Sequence, residues 1–245
     1  MDKLLYIAMT GARETTFAQA ATAHNLANAS TTGFKADLAQ FRAMPAYGNG
    51  LPSRVFAMSE RPGYKLDSGN VITTGNDLDI AIRGEGWLVI QGKDGEELLS
   101  RRGDLKVSAN GNLTNGLNQP IMGAGGPITI PPYEKLDIAT DGTISIRPVG
   151  AQPSETAIID RIKLVNPEAT SLSKNKQGLF VSSETDVFES DINVKIHTRM
   201  LESSNVSVVE ELTKMIQLSR QFEVQVKLMS GVKERGQALD RLLQP

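Results

Sequence analysis

The stretch Asn205 to Leu243, NVSVVEELTKMIQLSRQFEVQVKLMSGVKERGQALDRLL, decides how the chain is built. It holds no proline and only two glycines, Gly231 and Gly236, so nothing in it forbids one continuous helix. Val208, Leu212, Met215, Ser219, Phe222, Val226 and Met229 follow one another at steps of 4, 3, 4, 3, 4 and 3. That heptad-like seam continues after a shift of register through Val232, Gly236, Leu239 and Leu243. The spacing predicts a helix over about 206–242, roughly 55 Å long, with Ser204 or Asn205 as N-cap and Glu210 and Glu211 where the helix dipole favours negative charge. A helix of that length exceeds what a body of ordinary size can bury, so its seam points to partners.

The other end of the chain has the same character. Leu5, Ala8, Ala12, Thr15, Gln19, Thr22 and Leu26 recur three and four apart, which predicts a helix over 3–29 with one stripe of small residues. Small side chains bury little area each, so this helix depends on close approach to other helices. Ser30-Thr31-Thr32-Gly33 ends it, with Gly33 suited to a left-handed stop.

Between the ends the composition changes. Of 22 glycines in 245 residues, 18 fall between positions 45 and 200, and proline is absent before Pro45 and, after Pro167, returns only as Pro245. Lys93-Asp94-Gly95, Asn110-Gly111, Asn115-Gly116 and Asp141-Gly142 each lie between apolar segments, a strong hairpin signal. Alternation at Leu78, Ile80 and Ile82 and the run Trp87 to Ile90 predict strands, as do 128–130, 144–146, 158–165 and 179–182. Residues 151–155 read as a loop. The fold class is therefore α+β: paired, coiled-coil-like N- and C-terminal helices (1–44 plus 201–245) flank a central all-β domain of hairpins (69–200). An extended connector, 45–68, carries Pro45, Pro52 and Pro62.

Chemistry is sparse in this chain. It has no cysteine, hence no disulfide, thiol nucleophile or cysteine-held zinc. Twenty-six basic against 28 acidic residues leave no basic excess for nucleic acid. No run approaches the roughly 20 apolar residues of a membrane span, and MDKLLYIAMTGARE is too polar for a cleavable signal. His24 and His197 belong to no catalytic or metal motif and read as interface or exposed residues. Asp137 to Pro148 lacks the oxygen ligands of a calcium loop at its third and twelfth positions, Ala139 and Pro148, and reads as a hairpin turn. Gly84-Glu85-Gly86 and Gly123-Ala124-Gly125-Gly126 precede no helix and read as turns, not phosphate loops. Asp77 and Asp79 read as solvated strand residues, and Trp87 as core. Asp77, Asp79, Asp137 and Asp141 leave a carboxylate hydrolase as a remote alternative. No catalytic residue, metal site or cofactor is expected.

Three segments together resemble the axial family of bacterial flagellar proteins, the rod and hook subunits. The first is Asn25-Leu26-Ala27-Asn28-Ala29-Ser30-Thr31-Thr32-Gly33-Phe34-Lys35. The second runs Thr74-Gly75-Asn76-Asp77-Leu78-Asp79-Ile80-Ala81-Ile82, then Gly84-Glu85-Gly86-Trp87, Arg101-Arg102-Gly103 and Asp141-Gly142-Thr143-Ile144. The third is Leu201-Glu202-Ser203-Ser204-Asn205-Val206, then Met215-Ile216 and Arg220-Gln221-Phe222-Glu223. His24, and Leu99-Ser100, depart from the residues usual in the family. Within the family, Asn25 to Thr31 and the pair Gly86-Trp87 resemble the proximal-rod type, with a distal-rod or hook-type subunit as the alternative.

The resemblance implies a structural subunit whose terminal helices pack side by side into the wall of a hollow helical tube, while the β-domain meets neighbouring subunits. Asn25, Leu26, Ala27, Asn28, Thr31, Gly33, Phe34 and Lys35 would form one assembly motif. Glu202, Ser204, Asn205, Val206, Leu212, Met215, Ile216, Arg220, Phe222 and Glu223 would form the other. Gly75, Asn76, Leu78, Asp79, Ile82, Gly84, Gly86, Trp87, Arg101, Gly103, Asp141 and Gly142 would mark the β-domain. The partners implied are other rod proteins, copies of the chain itself, and the flagellar type III export apparatus. The place implied is the periplasmic rod of the basal body, reached without a cleaved signal, with no nucleic acid and no insertion into the membrane.

Overall fold

A computed structural model describes residues 3–45, 55–59, 63–150, 152, 155–175, 177–183 and 187–242. Pro52, Pro62, most of the 151–155 loop, Leu243 and Pro245 lie outside the described residues. The chain forms two compact units. One comprises residues 1–29, 35–65 and 206–245, the other 30–34 and 66–205.

The first unit is built on helices α1 (Lys3–Ala27) and α2 (Val208–Leu242), which pack against each other. At 35 residues α2 is about 52 Å long. α1 buries Ala8, Ala12, Thr15, Ala18, Thr22 and Asn25, side chains short enough to let the backbones approach, together with Glu14, whose Oε1 accepts from Arg13 at 2.9 Å. At one crossing the Thr15 hydroxyl meets Gln225 Oε1 at 3.3 Å, and a methyl group on Gly11 would stand 2.9 Å from the Gln225 amide nitrogen. In α2 the less exposed positions are Glu211, Met215, Leu218, Phe222, Gln225, Met229, Gly231, Val232 and Gly236. This repeat shares Met215, Phe222, Met229, Val232 and Gly236 with the seam expected from sequence. Val208, Leu212, Ser219 and Val226 are exposed instead, and the side chain of Leu239 lies outside what is described. The physical reason is that α2 is apolar on two adjoining faces, while α1 occupies only one. In α1 the same correction applies to Leu5, which is exposed, and to Gln19 and Leu26, which are only half-buried.

Also in this unit, Phe41–Pro45 and Val55–Ser59 pair antiparallel, with Phe41 opposite Ser59 and Pro45 opposite Val55. The second of these strands packs on α1. Asp37–Leu38 pairs with Gly63–Tyr64. Part of the stretch read as a connector is thus paired strand.

The second unit is a set of antiparallel hairpins around one aliphatic core. A five-stranded sheet runs, from edge to edge, Leu164–Val165, Trp87–Gln91, Glu97–Ser100, Phe180–Ser182 and Leu172–Lys174. Tyr133–Ile138, Thr143–Pro148 and Ala157–Arg161 form a three-stranded meander. Ile80–Arg83 pairs with Lys195–Thr198, Leu105–Val107 with Leu113–Asn115, and Val71–Thr73 with Met200–Glu202. Ile80, Leu88, Ile90, Leu98, Leu113, Ile121, Ile144, Ile146 and Ile162 fill the centre.

Gly95, Gly111 and Gly142 take the left-handed conformation at three of the four expected turns. The fourth differs. Asn115-Gly116 opens a wider loop, in which Asn115 Oδ1 accepts the backbone N–H groups of Leu117 and Gln119, both at 3.0 Å. Residues 128–130 make only isolated bridges. Ile80, Ala81 and Ile82 are all buried rather than alternating, because that strand is covered on both faces. Asp79 is buried with them, against the solvated position expected for it, and accepts the Asn76 amide at 3.1 Å.

At the Asp141-Gly142 turn, the Thr143 backbone N–H and then its hydroxyl hold the Asp141 carboxyl below the ordinary carboxylate range. A folded-state value below the unfolded one stabilises above the ordinary Asp pKa, and the contribution disappears as pH falls through the lowered value. Asp141→Asn should therefore lower the denaturation midpoint slightly at pH 7 and converge with the parent chain in acid; equal midpoints at both pH values would refute this. In the core, Ile144→Ala should cost about 2–5 kcal/mol in urea unfolding, whereas the exposed Ile158→Ala should change stability by no more than about 0.5 kcal/mol.

Candidate functional site

Inside the β unit, pieces of all three sequence motifs meet around one buried ion pair. Arg101 and Glu202 lie 101 residues apart, yet Arg101 Nη1 donates to Glu202 Oε2 at 2.9 Å, with side chains only 3% and 1% exposed. The rest of the guanidinium is also used. Its Nε donates to Gly86 O at 2.9 Å, Nη1 to the Ser68 hydroxyl at 3.1 Å, and Nη2 to Gly84 O. Glu202 Oε1 accepts the Gly69 N–H at 2.9 Å, and the Glu202 carbonyl accepts the Gly33 N–H at 2.8 Å. A buried pair persists only when its remaining donors and acceptors are matched in this way.

Glycine is required at two of these contacts. Gly33 has φ +66°, and a Cβ there would stand 2.4 Å from the Arg101 carbonyl carbon and oxygen. A Cβ on Gly69 would stand 2.0 Å from Ser203 O. Asn205 closes the cluster: its backbone N–H donates to Phe34 O at 3.3 Å and its side-chain amide to Asp67 O at 2.9 Å. Aromatic rings cover it. The guanidinium of Arg101 lies 5.6 Å from the centre of the Trp87 ring, which stands 4.6 Å from that of Phe180. Lys174 Nζ is 4.2 Å from the centre of the Phe34 ring.

Gly33, Phe34, Gly84, Gly86, Trp87, Arg101, Glu202 and Asn205 are thus brought together, with Thr31 beside them through its carbonyl and the Phe34 N–H at 3.4 Å. Sequence reasoning missed Asp67, Ser68, Gly69, Lys174 and Phe180, which share no motif and join only through the fold. Other motif residues stand elsewhere in the β unit. Gly75 and Asn76 form the turn before Ile80–Arg83, Leu78 and Ile82 belong to the core, Gly103 packs against Ile80 O, and Gly142 closes its hairpin. Lys35 and Ser204 are buried, and Val206 is half-buried.

In the helical unit Asn25 is buried and holds Asp37 by two hydrogen bonds, Nδ2 to Asp37 O at 2.9 Å and Asp37 N to Oδ1 at 2.8 Å. Asn28 donates to His24 O at 2.9 Å, Leu26 is half-buried and Ala27 exposed. On α2, Met215 and Phe222 are half-buried, while Leu212, Ile216, Arg220 and Glu223 are exposed.

Among the groups with latent chemistry, Asp77 and Asp137 flank one guanidinium, that of Arg199, whose Nη2 stands 4.0 Å from Asp137 Oδ1. His24 Nδ1 lies 2.6 Å from Asp37 Oδ2, and His197 sits mid-strand opposite Ala81. Asp77 pairs with Arg199 at 2.7 Å, Asp137 with Lys135 at 2.8 Å, and Asp141 with Thr143. Among the described residues no three of these types converge as metal ligands. A cleft of about 560 Å³ opens beside Trp87 and Arg101, and Arg101 is fully engaged by its partners in the wall. Among the described residues no helix is long and apolar enough to cross a membrane.

A chain of this kind, two packed terminal helices and a hairpin-built β unit whose best-organised polar cluster binds the chain to itself, is a structural protein in design. Its sequence matches three family models in order. These are a flagella basal body rod protein model over 5–35, the D1 domain of flagellar hook protein FlgE/F/G over 81–146, and the flagellar basal body rod FlgEFG protein C-terminal model over 197–242. A flagellar basal-body rod protein FlgF of Salmonella typhimurium is 39% identical over 99% of both chains, and that of Escherichia coli 37% over the same shares. A flagellar basal-body rod protein FlgG of Buchnera aphidicola is 30% identical over 97% of this chain and 98% of its own. The chain belongs to the flagellar basal-body rod protein family, a structural and not an enzymatic one, and the FlgF members match it at the higher identities quoted.

Removing one partner of the buried pair leaves a charge without a counter-charge. Arg101→Met or Glu202→Leu should each cost about 3–5 kcal/mol, and the double variant far less than the sum, measured by urea unfolding in a double-mutant cycle. Additive losses would show that the two side chains do not act as a pair.

Proposed function

We propose that this chain is a subunit of the proximal rod of the flagellar basal body and acts by self-association with other rod subunits. Its helical unit packs against those of its neighbours in the wall of the hollow, torque-bearing tube through which later subunits pass. Its partners are other proximal and distal rod proteins and copies of itself, and it reaches its place through the flagellar type III export apparatus. The two assembly motifs named above supply the helix faces, and the β unit supplies lateral contacts.

The observation that carries this reading is the second apolar face of α2. Val208, Val209, Leu212 and Ile216 are each 45–74% exposed and lie beside the face that α1 occupies. On α1, Leu5, Tyr6, Met9 and Phe17 are exposed in the same way. The cost of leaving these side chains in water, about 25 cal/mol per Å² of apolar surface, is recovered where helices of neighbouring subunits cover them. Met215 and Phe222 stabilise the subunit's own helix pair, so the faces that fold the unit and the faces that assemble it share one helix.

Leu212 separates the two roles. Leu212→Glu places a charge on an exposed position and should leave the urea midpoint of the purified chain unchanged within about 0.5 kcal/mol. The same change should abolish swimming and halt rod completion, scored by motility assay and by images of isolated basal bodies. Normal swimming with Leu212→Glu would sink the assembly reading.

A further inference from the structure

In the β unit, the antiparallel ribbon of Val71–Thr73 with Met200–Glu202 follows directly on that of Ile80–Arg83 with Lys195–Thr198. On one side six residues, 74–79, join the two ribbons; on the other a single residue, Arg199, does so. Arg199 has φ +59°. Among the described residues only Asn118 is another non-glycine with positive φ, and asparagine tolerates that conformation better than other residues with a side chain. The Arg199 carbonyl accepts the backbone N–H of Thr74 at 3.0 Å, that of Gly75 at 3.3 Å and the Thr74 hydroxyl at 3.3 Å. Met200 N donates to Asp79 O at 3.3 Å. The left-handed residue therefore makes a bend, with six residues of one strand gathered opposite one of the other. Glycine would make the same bend without strain.

What Arg199 has and glycine lacks is a guanidinium. Its Nε lies 2.7 Å from Asp77 Oδ1, in the six-residue link, and its Nη2 4.0 Å from Asp137 Oδ1, in the three-stranded meander. The three side chains are 43–54% exposed, so the pairs add little to global stability. Their effect is local: one side chain is held across two separate segments at the bend. Packing does little to keep the ribbon in place. Val71, Ile72 and Thr73 are all exposed, Met200 and Leu201 only half-buried, and a pair of strands on its own is marginal. Yet the ribbon ends in Glu202, the buried partner of Arg101. We propose that Arg199 is a clasp that holds the ribbon's bend against load, its left-handed backbone making the bend and its guanidinium tying it to Asp77 and Asp137. The load is that of the torque-bearing tube and so rests on the assembly reading above; the clasp does not.

Variants of the purified chain separate the bend from the clasp. Arg199→Ala keeps the left-handed strain and loses the guanidinium, whereas Arg199→Gly loses both. Arg199→Gly should therefore melt about 2–4 °C above Arg199→Ala. In an ordinary extended strand alanine would melt higher, and that order overturns the left-handed bend. Hydrogen exchange reads the clasp. The amides of Thr74, Gly75 and Met200 should exchange about tenfold faster in Arg199→Gly than in the parent chain. Asp77→Asn should speed the same amides, and adding it to Arg199→Gly should bring no further change. Salt at about 1 M should speed them in the parent chain and leave Arg199→Gly unmoved, because exposed charges are screened. Unchanged protection, or additive effects of the two substitutions, overturns the clasp. In cells, Arg199→Gly should complete rods and swim at parental speed in dilute medium, and lose speed as the medium is thickened and the motor works against load. Parental speed in thickened medium overturns the load-bearing role. Leu212→Glu run alongside keeps the failures apart: if it swims normally the assembly reading fails, whatever the amides of Arg199→Gly report.

Discussion

A guanidinium and a carboxylate withdrawn from water together have to find a partner for nearly every donor and acceptor they carry, and the Arg101–Glu202 pair meets that demand with backbone groups. Gly84 O, Gly86 O and Gly69 N–H are engaged by its side chains, and Gly33 N–H by the Glu202 carbonyl. Each is a glycine: at Gly33 and Gly69 a Cβ would collide with neighbouring backbone, and Gly33, Gly84 and Gly86 have positive φ. The consequence is topological. The chain passes between its two units after residues 29, 34, 65 and 205. On the β side all four passages end within this cluster, through Thr31 to Phe34, Asp67 to Gly69, and Glu202 to Asn205. One ion pair therefore fixes the places where the chain enters and leaves the β unit, and the hairpins beyond it close on an aliphatic core that needs no polar help.

The helical unit follows the opposite logic. Its helix pair buries short side chains on α1, Ala8, Ala12 and Ala18, and leaves Met215, Leu218 and Phe222 of α2 half-buried, so each residue buries little and stability comes from length. A helix this long with a second apolar face gains more from further helices than from its own chain. The two units thus differ in kind inside, aliphatic in one and built on small residues in the other.

The elements of this fold were legible in the sequence to the degree that they obey local rules. Turn chemistry located Gly95, Gly111 and Gly142 because a left-handed residue is a local demand. Asn115-Gly116 misled because Asn115 spends its side chain on organising a wider loop, a choice that depends on Gln119 four residues on. Periodicity found both helices but placed half of the α2 seam on the wrong side, since Leu212 and Leu218 are equally apolar and only the partner helix decides between them. The strand at Ile80–Arg83 shows the same gap: alternation assumes a solvated face, and here Lys195–Thr198 pairs alongside while the core covers the rest.

The cluster around Arg101 was visible only as fragments. Each glycine, Arg101, Glu202 and Asn205 stood in a recognisable motif, and nothing in the spacing of those motifs implied that they touch. Composition argues that an arginine and a glutamate 101 residues apart are surface residues, because unpaired burial is so costly. That cost makes the pair specific: once the core hairpins bring residue 101 near residue 202, pairing spares both side chains a buried, unmatched charge. A matched buried charge of this kind records a contact the chain makes with itself.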